Sequence, residues 1–291
     1  MATMSVVGLR SWGLGLLLGS LAAVGVAPRA LGGEGASPWL DLPNSRARLI
    51  AADGLTYEGR AILAAGLEIA LDKGWKTYWR TPGDGLAPLL DWSGSERLAE
   101  AEALWPVPQR FEGPDGVLSF GYADRLVLPI RLVPAEPGLM VLFKLRVNYA
   151  VCADICVPVE AELLLDITPG MESEHRNALL VALEQVPKKQ ARGVYCPHSF
   201  ITAKRRTVND KPALVIKTAY EESATGLDLF AEAPEGSEFP SPRRQPRATR
   251  GRLYHIVSFE TEQELDAMKG KTLTLTMVAD QGSCETTWRV E

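Results

Sequence analysis

The sequence predicts a mainly β protein, two antiparallel β-sandwich domains joined by a helical linker. Three observations lead there. Apolar and polar residues alternate with a period of two along many short segments. Those segments are punctuated by Pro and Gly. One stretch, residues 168–189, changes to a helical period. The chain has 291 residues, 46% hydrophobic and 23% charged, an ordinary globular balance with length enough for two cores.

The first element is a leader. Arg10 precedes an apolar run from Trp12 to Ala27, and Ala30 and Gly32 follow as small residues. Residues 1–32 therefore read as a secretory signal peptide cleaved after Gly32. An uncleaved anchor is the alternative, but the run falls short of the roughly 20 residues that a span needs. Cleavage removes Arg10 and Arg29 and no acid, taking the formal charge from −5 to −7. An acidic chain lacks the basic face that nucleic acid requires, so nucleic acid is not an expected partner. Export places the mature protein in an oxidising compartment, where disulfides form and persist.

The first domain is expected over residues 38–168. "RARLIAA" and "AGLEIALDKG" read as strands, followed by the aromatic, turn-rich "WKTYWRTPGDGLAP". "RFEGPDGVLSFGY" is a glycine-rich loop, and "RLVLPIRLVP" is another strand. In "GLMVLFKLRVNYAV", Val141, Phe143, Leu145, Val147 and Tyr149 alternate with Lys144, Arg146 and Asn148. That is a half-buried strand, and "VPVEAELLLDI" is its natural partner. Residues 169–190 form the linker: Ala178, Leu179, Ala182, Leu183 and Val186 recur at helical spacing, and Pro187 ends the run. The second domain, 191–291, returns to strands in "ALVIKTAY", "LDLFAEAPEG", "RLYHIVSFE", "TLTLTMVAD" and "CETTWRV", with a short helix in "TEQELDAMKG". Each half ends in strand, turn, strand with a cysteine near the turn, as a duplicated sandwich would.

The chemistry concentrates in "VNYAVCADICVPVEAEL". If the flanking strands pair as a hairpin, Ala153, Asp154 and Ile155 form a three-residue connection. Cys152 and Cys156 then face each other at a distance a disulfide can bridge. Such a bond would close a loop already closed by the turn, so it would add little stability. Asp154 is a turn former and also a carboxylate that would oppose thiolate formation. Spacing alone leaves three readings open: a redox pair, a structural hairpin disulfide and a metal clamp.

The segment "YAVCADICVPVEAEL" resembles the active-site hairpin of the N-terminal periplasmic domain of the thiol:disulfide interchange protein DsbD. "DKGWKTYWR" is similar to that family's aromatic segment, and "YADRLVLPI" to the segment after its cap loop. The three occur in the family's order, and the likeness covers about residues 45–167. It is nearer still to the suppressor-of-copper-sensitivity, ScsB-like, branch, whose exported region has a second β-domain. The resemblance implies immunoglobulin-like sandwiches and a thiol–disulfide interchange function, a protein-disulfide reductase component with no cofactor beyond the redox-active disulfide. It makes Cys152 and Cys156 the redox pair, with Cys152 as the expected attacking thiol. Tyr78 falls at an aromatic position beside them, and loop 111–121 at the cap, with Phe120 and Leu118 as candidates to cover the sulfurs. It implies a membrane electron-transfer protein or a thioredoxin-like protein as donor and periplasmic disulfide-containing proteins as clients. The spacing between the cysteines is shorter than in DsbD. The family's membrane and thioredoxin-like domains are absent from this sequence, so another protein is expected to recharge the pair.

Cys196 and Cys284 are expected to form a structural disulfide at opposite ends of the second domain. Cu(I), a soft ion suited to thiolates, is the alternative ligand of Cys152 and Cys156. That reading would make a copper-tolerance protein, but it wants a histidine. Only His175, His198 and His255 exist, and all three read as surface or satisfied residues. Five arginines in "PRRQPRATRGR" read as a solvated loop, or as a docking site for an acidic partner or lipid. A binding module whose cysteines are all structural is the third class of function.

Overall fold

A computed structural model describes residue 1 and residues 35–113, 116–190, 195–234, 239–245 and 251–291. The expected leader lies outside the described residues apart from Met1, as do residues 114–115 of the expected cap loop and residues 246–250 of the arginine-rich run. Among the described residues no helix is long and apolar enough to cross a membrane.

The strands of the first half are β1 Leu40–Leu42, β2 Ser45–Tyr57, β3 Arg60–Leu71, β4 Lys76–Gly83, β5 Leu89–Asp91, β6 Leu98–Ala103, β7 Gln109–Glu112, β8 Leu118–Ala123, β9 Arg125–Pro134, β10 Val141–Cys152 and β11 Cys156–Ile167. Helix α1, Arg176–Glu184, follows. The second half holds β12 Lys188–Lys189, β13 His198–Val208, β14 Lys211–Tyr220, β15 Asp228–Glu232, β16 Arg243–Arg244, β17 Arg252–Ser258, helix α2 Glu262–Asp266, β18 Thr272–Ala279 and β19 Gly282–Arg289.

Two sheets make the first half, in the orders β1-β2-β3-β9-β6 and β11-β10-β4-β8-β7, with β5 added beside β10. The predicted alternation builds their shared core. Val141, Phe143, Leu145, Val147, Tyr149 and Val151 of β10 face Leu49, Leu67, Leu128 and Ile130 of the other sheet. The strands β2 and β3 are buried on both faces, which is why their sequences run apolar without a clean alternation. Their second face, with Ile50, Ala52, Leu55 and Ala64, is covered by Leu179, Leu183 and Val186 from α1 and the turn after it. The helical stretch is thus a helix packed on the outside of the first sandwich.

The second half also has two sheets, β13-β14-β17-β16 and β12-β19-β18-β15. Leu214, Ile216, Val257, Leu273, Leu275 and Met277 fill the space between them. Cys196 and Cys284 are bonded, with Cα atoms 5.9 Å apart. The described residues from Gly35 onward pack as one compact unit.

Strand β15 joins the halves because successive side chains of a strand point to opposite faces. Leu229 and Ala231 belong to the second core. Phe230 belongs to the first, edge-on to Trp79 at 5.6 Å and to Phe120 at 5.0 Å between ring centroids. Asp228 and Glu232 flank it two residues either way, on the same face. Asp228 accepts two hydrogen bonds from Arg110 of β7, at 2.9 and 2.8 Å. Glu232 accepts from Arg80 Nε at 2.9 Å, Arg80 Nη2 at 2.7 Å and the Thr81 hydroxyl at 2.6 Å. Glu285 of β19 takes a further bond from Arg80 at 2.7 Å. Burial works against the Arg80 charge, but the bonds to Glu232 and Glu285 outweigh it and hold the guanidinium protonated.

His255 corrects the sequence reading, whereas His198 is satisfied as expected. His255 is fully buried, 0% exposed, on the same face of β17 as Leu253 and Val257. Among the described residues neither of its ring nitrogens has a hydrogen-bond partner. His198 is buried beside it, with ring centroids 6.1 Å apart, and is held by the Val278 carbonyl and the Thr218 hydroxyl.

Two predictions follow from this core. Burial, then the neighbouring His198, Arg110 and Arg244, push His255 down to about 3, whereas in an unfolded chain it titrates near 6.5. The folded state therefore keeps it neutral, and stability that is full above about pH 6.5 falls as the pH drops toward 3, by at most about 1.4 kcal/mol per pH unit. Denaturant titrations between pH 7 and 4 should show a shallower acid loss in His255→Leu than in the unaltered protein. Replacing Cys196 and Cys284 together by Ser should cost about 4–5 kcal/mol for so long a closed loop, seen as a lower unfolding midpoint of the second half.

Candidate functional site

Strands β10 and β11 pair over twelve positions, from Val141 opposite Ile167 to Cys152 opposite Cys156. The two cysteines are the last rung of the ladder, and Ala153, Asp154 and Ile155 turn the chain, with the Ala153 amide donating to the Ile155 carbonyl at 3.0 Å. They form a disulfide with Cα atoms 4.1 Å apart. The long hairpin brings them together without help from elsewhere.

Their surroundings are unequal. The phase of β10 turns Val151 into the sandwich core and Cys152 to the opposite face, where it forms a small cluster with Ala150 and Tyr78. Cys152 is 1% exposed, whereas Cys156 is exposed on the edge strand. Beside it Ile155 is 67% exposed. Asp154 lies exposed in the turn.

Tyr78 is the residue the structure brings to the sulfurs. Its hydroxyl is 3.4 Å from Cys156 Sγ. A disulfide sulfur has no proton to give, so the hydroxyl is the donor. Burial, and then the charge of Asp84, push the Tyr78 hydroxyl up, which keeps it protonated and able to donate. The ring is covered in turn by the loop after β4, since a Cβ on Gly85 would stand 2.5 Å from Cε1 of Tyr78. Only glycine can lie so close. That loop is fixed to β8, with Gly83 paired to Ser119 and the Asp84 amide bonded to the Leu118 carbonyl at 3.0 Å. Strand β8 is itself pressed on β4 at Gly121, where a Cβ would overlap the Thr77 carbonyl oxygen.

Phe120 and Leu118 are placed otherwise. Both lie in the sandwich core, on the face of the sheet away from Cys152. Tyr78 packs on Cys152, and Gly85, in a run that sequence reasoning took for a plain turn, lies against the Tyr78 ring. The "PGDG" run was the available signal, because two glycines so close to an aromatic strand permit close packing on a ring. Among the described residues no group of three or more His, Cys, Asp or Glu stands together to hold a metal ion. Arg243, from the arginine-rich run, pairs with Glu112 at 3.4 Å and donates to the Gly116 carbonyl, both in the expected cap loop.

Residues 59–167 match the family model described as thiol:disulfide interchange protein DsbD, N-terminal. The segment bearing the cysteine hairpin therefore carries the family likeness read from its residues. Among solved structures, the chain is similar to the N-terminal periplasmic domain of ScsB from Proteus mirabilis, at 20% identity and a TM-score of 0.66. The match covers 88% of this chain and 98% of that one. No curated protein matches the chain.

The Tyr78 hydroxyl predicts a kinetic effect. A hydrogen bond to a thiolate favours it, and part of the lost thiolate fraction is offset by higher intrinsic nucleophilicity. Tyr78→Phe should therefore slow attack by the reduced pair on a chromogenic aromatic disulfide at pH 7 by about three-fold, with the melting temperature nearly unchanged. Stopped-flow absorbance reads both proteins directly.

Proposed function

We propose that this is a periplasmic thiol–disulfide interchange protein that passes electrons through Cys152 and Cys156 to oxidised client proteins. The family match over the hairpin supports the reaction class. The observation that carries the mechanism is the inequality of the two sulfurs, one buried at 1% exposure and one open on an edge strand. An attacking sulfur must be reached and a resolving sulfur need not be, so we assign attack to Cys156 and resolution to Cys152. This reverses the order expected from the sequence.

In the reduced protein, the Cys156 thiolate attacks one sulfur of a client disulfide. The client S–S bond breaks, its second sulfur leaves as a thiolate, and a mixed disulfide joins Cys156 to the client. The Cys152 thiolate then attacks Cys156 Sγ, the mixed disulfide breaks, and the client leaves with two thiols. Two electrons have moved, and Cys152 is again bonded to Cys156. A membrane electron-transfer protein or a thioredoxin-like protein would return the pair to the dithiol. In this reading residues 38–168 form the redox domain, an immunoglobulin-like sandwich, and residues 191–291 a second sandwich after the helical segment, with Cys196–Cys284 as its structural bond.

The test uses single variants and a potential. Cys152→Ser should accumulate mixed disulfides with periplasmic proteins, because nothing resolves them, and Cys156→Ser should not. The opposite pattern would return attack to Cys152. A reduction potential of the pair below about −300 mV, the range of inert structural disulfides, would end the interchange reading.

A further inference from the structure

The face of β15 that meets the first half touches β4, the strand that carries Tyr78, and the β7–β8 hairpin, although it lies in the other half of the chain. Arg80, held by Glu232 and Glu285, is two residues from Tyr78 on the same strand. Phe230 packs on Trp79, the residue between them, and on Phe120 of β8. Arg110, held by Asp228 and the Leu229 carbonyl, stacks over both Phe120 and Phe230 at 5.0 and 5.2 Å. Strands β7 and β8 form one hairpin, and Arg243 holds its loop end at Glu112 and Gly116. The hairpin in turn fixes Gly83 and Asp84, and through them the loop that lies on the Tyr78 ring.

We infer that Asp228, Phe230 and Glu232 are positioning residues of the redox site, setting through β4 and the β7–β8 hairpin how tightly Tyr78, with Gly85 against its ring, packs on the buried Cys152 and holds its hydroxyl at Cys156 Sγ. The inference rests on the interchange reading and deepens it, giving the second half a role in the reaction. None of the three touches a sulfur. Each holds a strand whose next neighbour does, or whose loop covers the one that does. Loosening that hold lets Tyr78 move off the disulfide locally at lower cost than unfolding the sandwich, so the buried Cys152 sulfur is uncovered and the pair becomes easier to reduce.

The experiment measures the rate at which dithiothreitol reduces Cys152–Cys156 in the full chain, alongside thermal unfolding. Glu232→Gln keeps the shape and removes the charge, and Phe230→Leu keeps an apolar side chain and removes the ring contacts. Both should speed reduction by about three- to ten-fold. Leu179→Ala, on the face of α1 packed against the far sheet, destabilises the same sandwich away from the site and should leave the rate within two-fold of the unaltered protein. Arg110→Asp combined with Asp228→Arg should bring the rate back toward normal from that of either single change. Unaltered rates in folded Glu232→Gln and Phe230→Leu would overturn the inference, as would an equal acceleration in Leu179→Ala. If Phe230→Leu does not fold, the near-isosteric Glu232→Gln decides alone. A pair that dithiothreitol fails to reduce in the unaltered chain removes the interchange reading and the inference with it, an outcome distinct from a reducible pair whose rate the variants leave untouched.

Discussion

One aromatic ring crossing from the second half into the first core fixes the relation of everything else. Phe230 is a residue of β15 by sequence, but its surroundings are Trp79, Phe120 and the stacked Arg110. Its strand neighbours Leu229 and Ala231 stay in their own core. The period of two lets five residues serve two cores at once, and puts a carboxylate on each side of the ring to meet an arginine. Whether such partly buried pairs add net stability depends on what desolvation takes away. What they supply clearly is register, since bidentate arginine–carboxylate geometry tolerates little sliding.

The same alternation organises the cysteine hairpin. Strand β10 gives its odd positions from Val141 to Val151 to the core and reserves Ala150 and Cys152 for the other face. Strand β4 does the same with Trp79 and Tyr78. A shift of one residue in either strand would drive the sulfur into the core and the aromatic ring into solvent. Long pairing on both sides of the turn makes that slip costly, so the site is as well ordered as the sandwich that carries it.

Much of this was legible in the residues. The hairpin was read from Val141, Phe143, Leu145, Val147 and Tyr149, and the structure pairs Cys152 with Cys156 where that reading put them. Leu179, Leu183 and Val186 announced a helix face, but which surface received it depended on Ile50 and Ala64 far upstream. Strand β13 escaped notice because only His198 and Ala203 of its eleven residues are buried. His255 was misjudged because polarity was weighed above phase, although Leu253 and Val257 share its face. The cover of the sulfurs was hidden for a different reason. Glycines signal close approach without naming what approaches, and the contact between Gly85 and Tyr78 is made in three dimensions. The role of "DLFAE" was equally silent, since an acid–aromatic–acid face reads as solvent-exposed until an arginine from elsewhere meets it.

The crossing ring also bears on how separable the first sandwich is. Excised at residue 168, the first half would lose the aromatic partner of Trp79 and Phe120 and leave Arg80 and Arg110 facing water without their carboxylates. A boundary that is clean along the chain is therefore a torn surface in space. Recombination that grafts this cysteine hairpin onto another carrier would have to transplant the grip of β15 with it, so the two halves are expected to vary together as one inherited unit rather than as interchangeable modules.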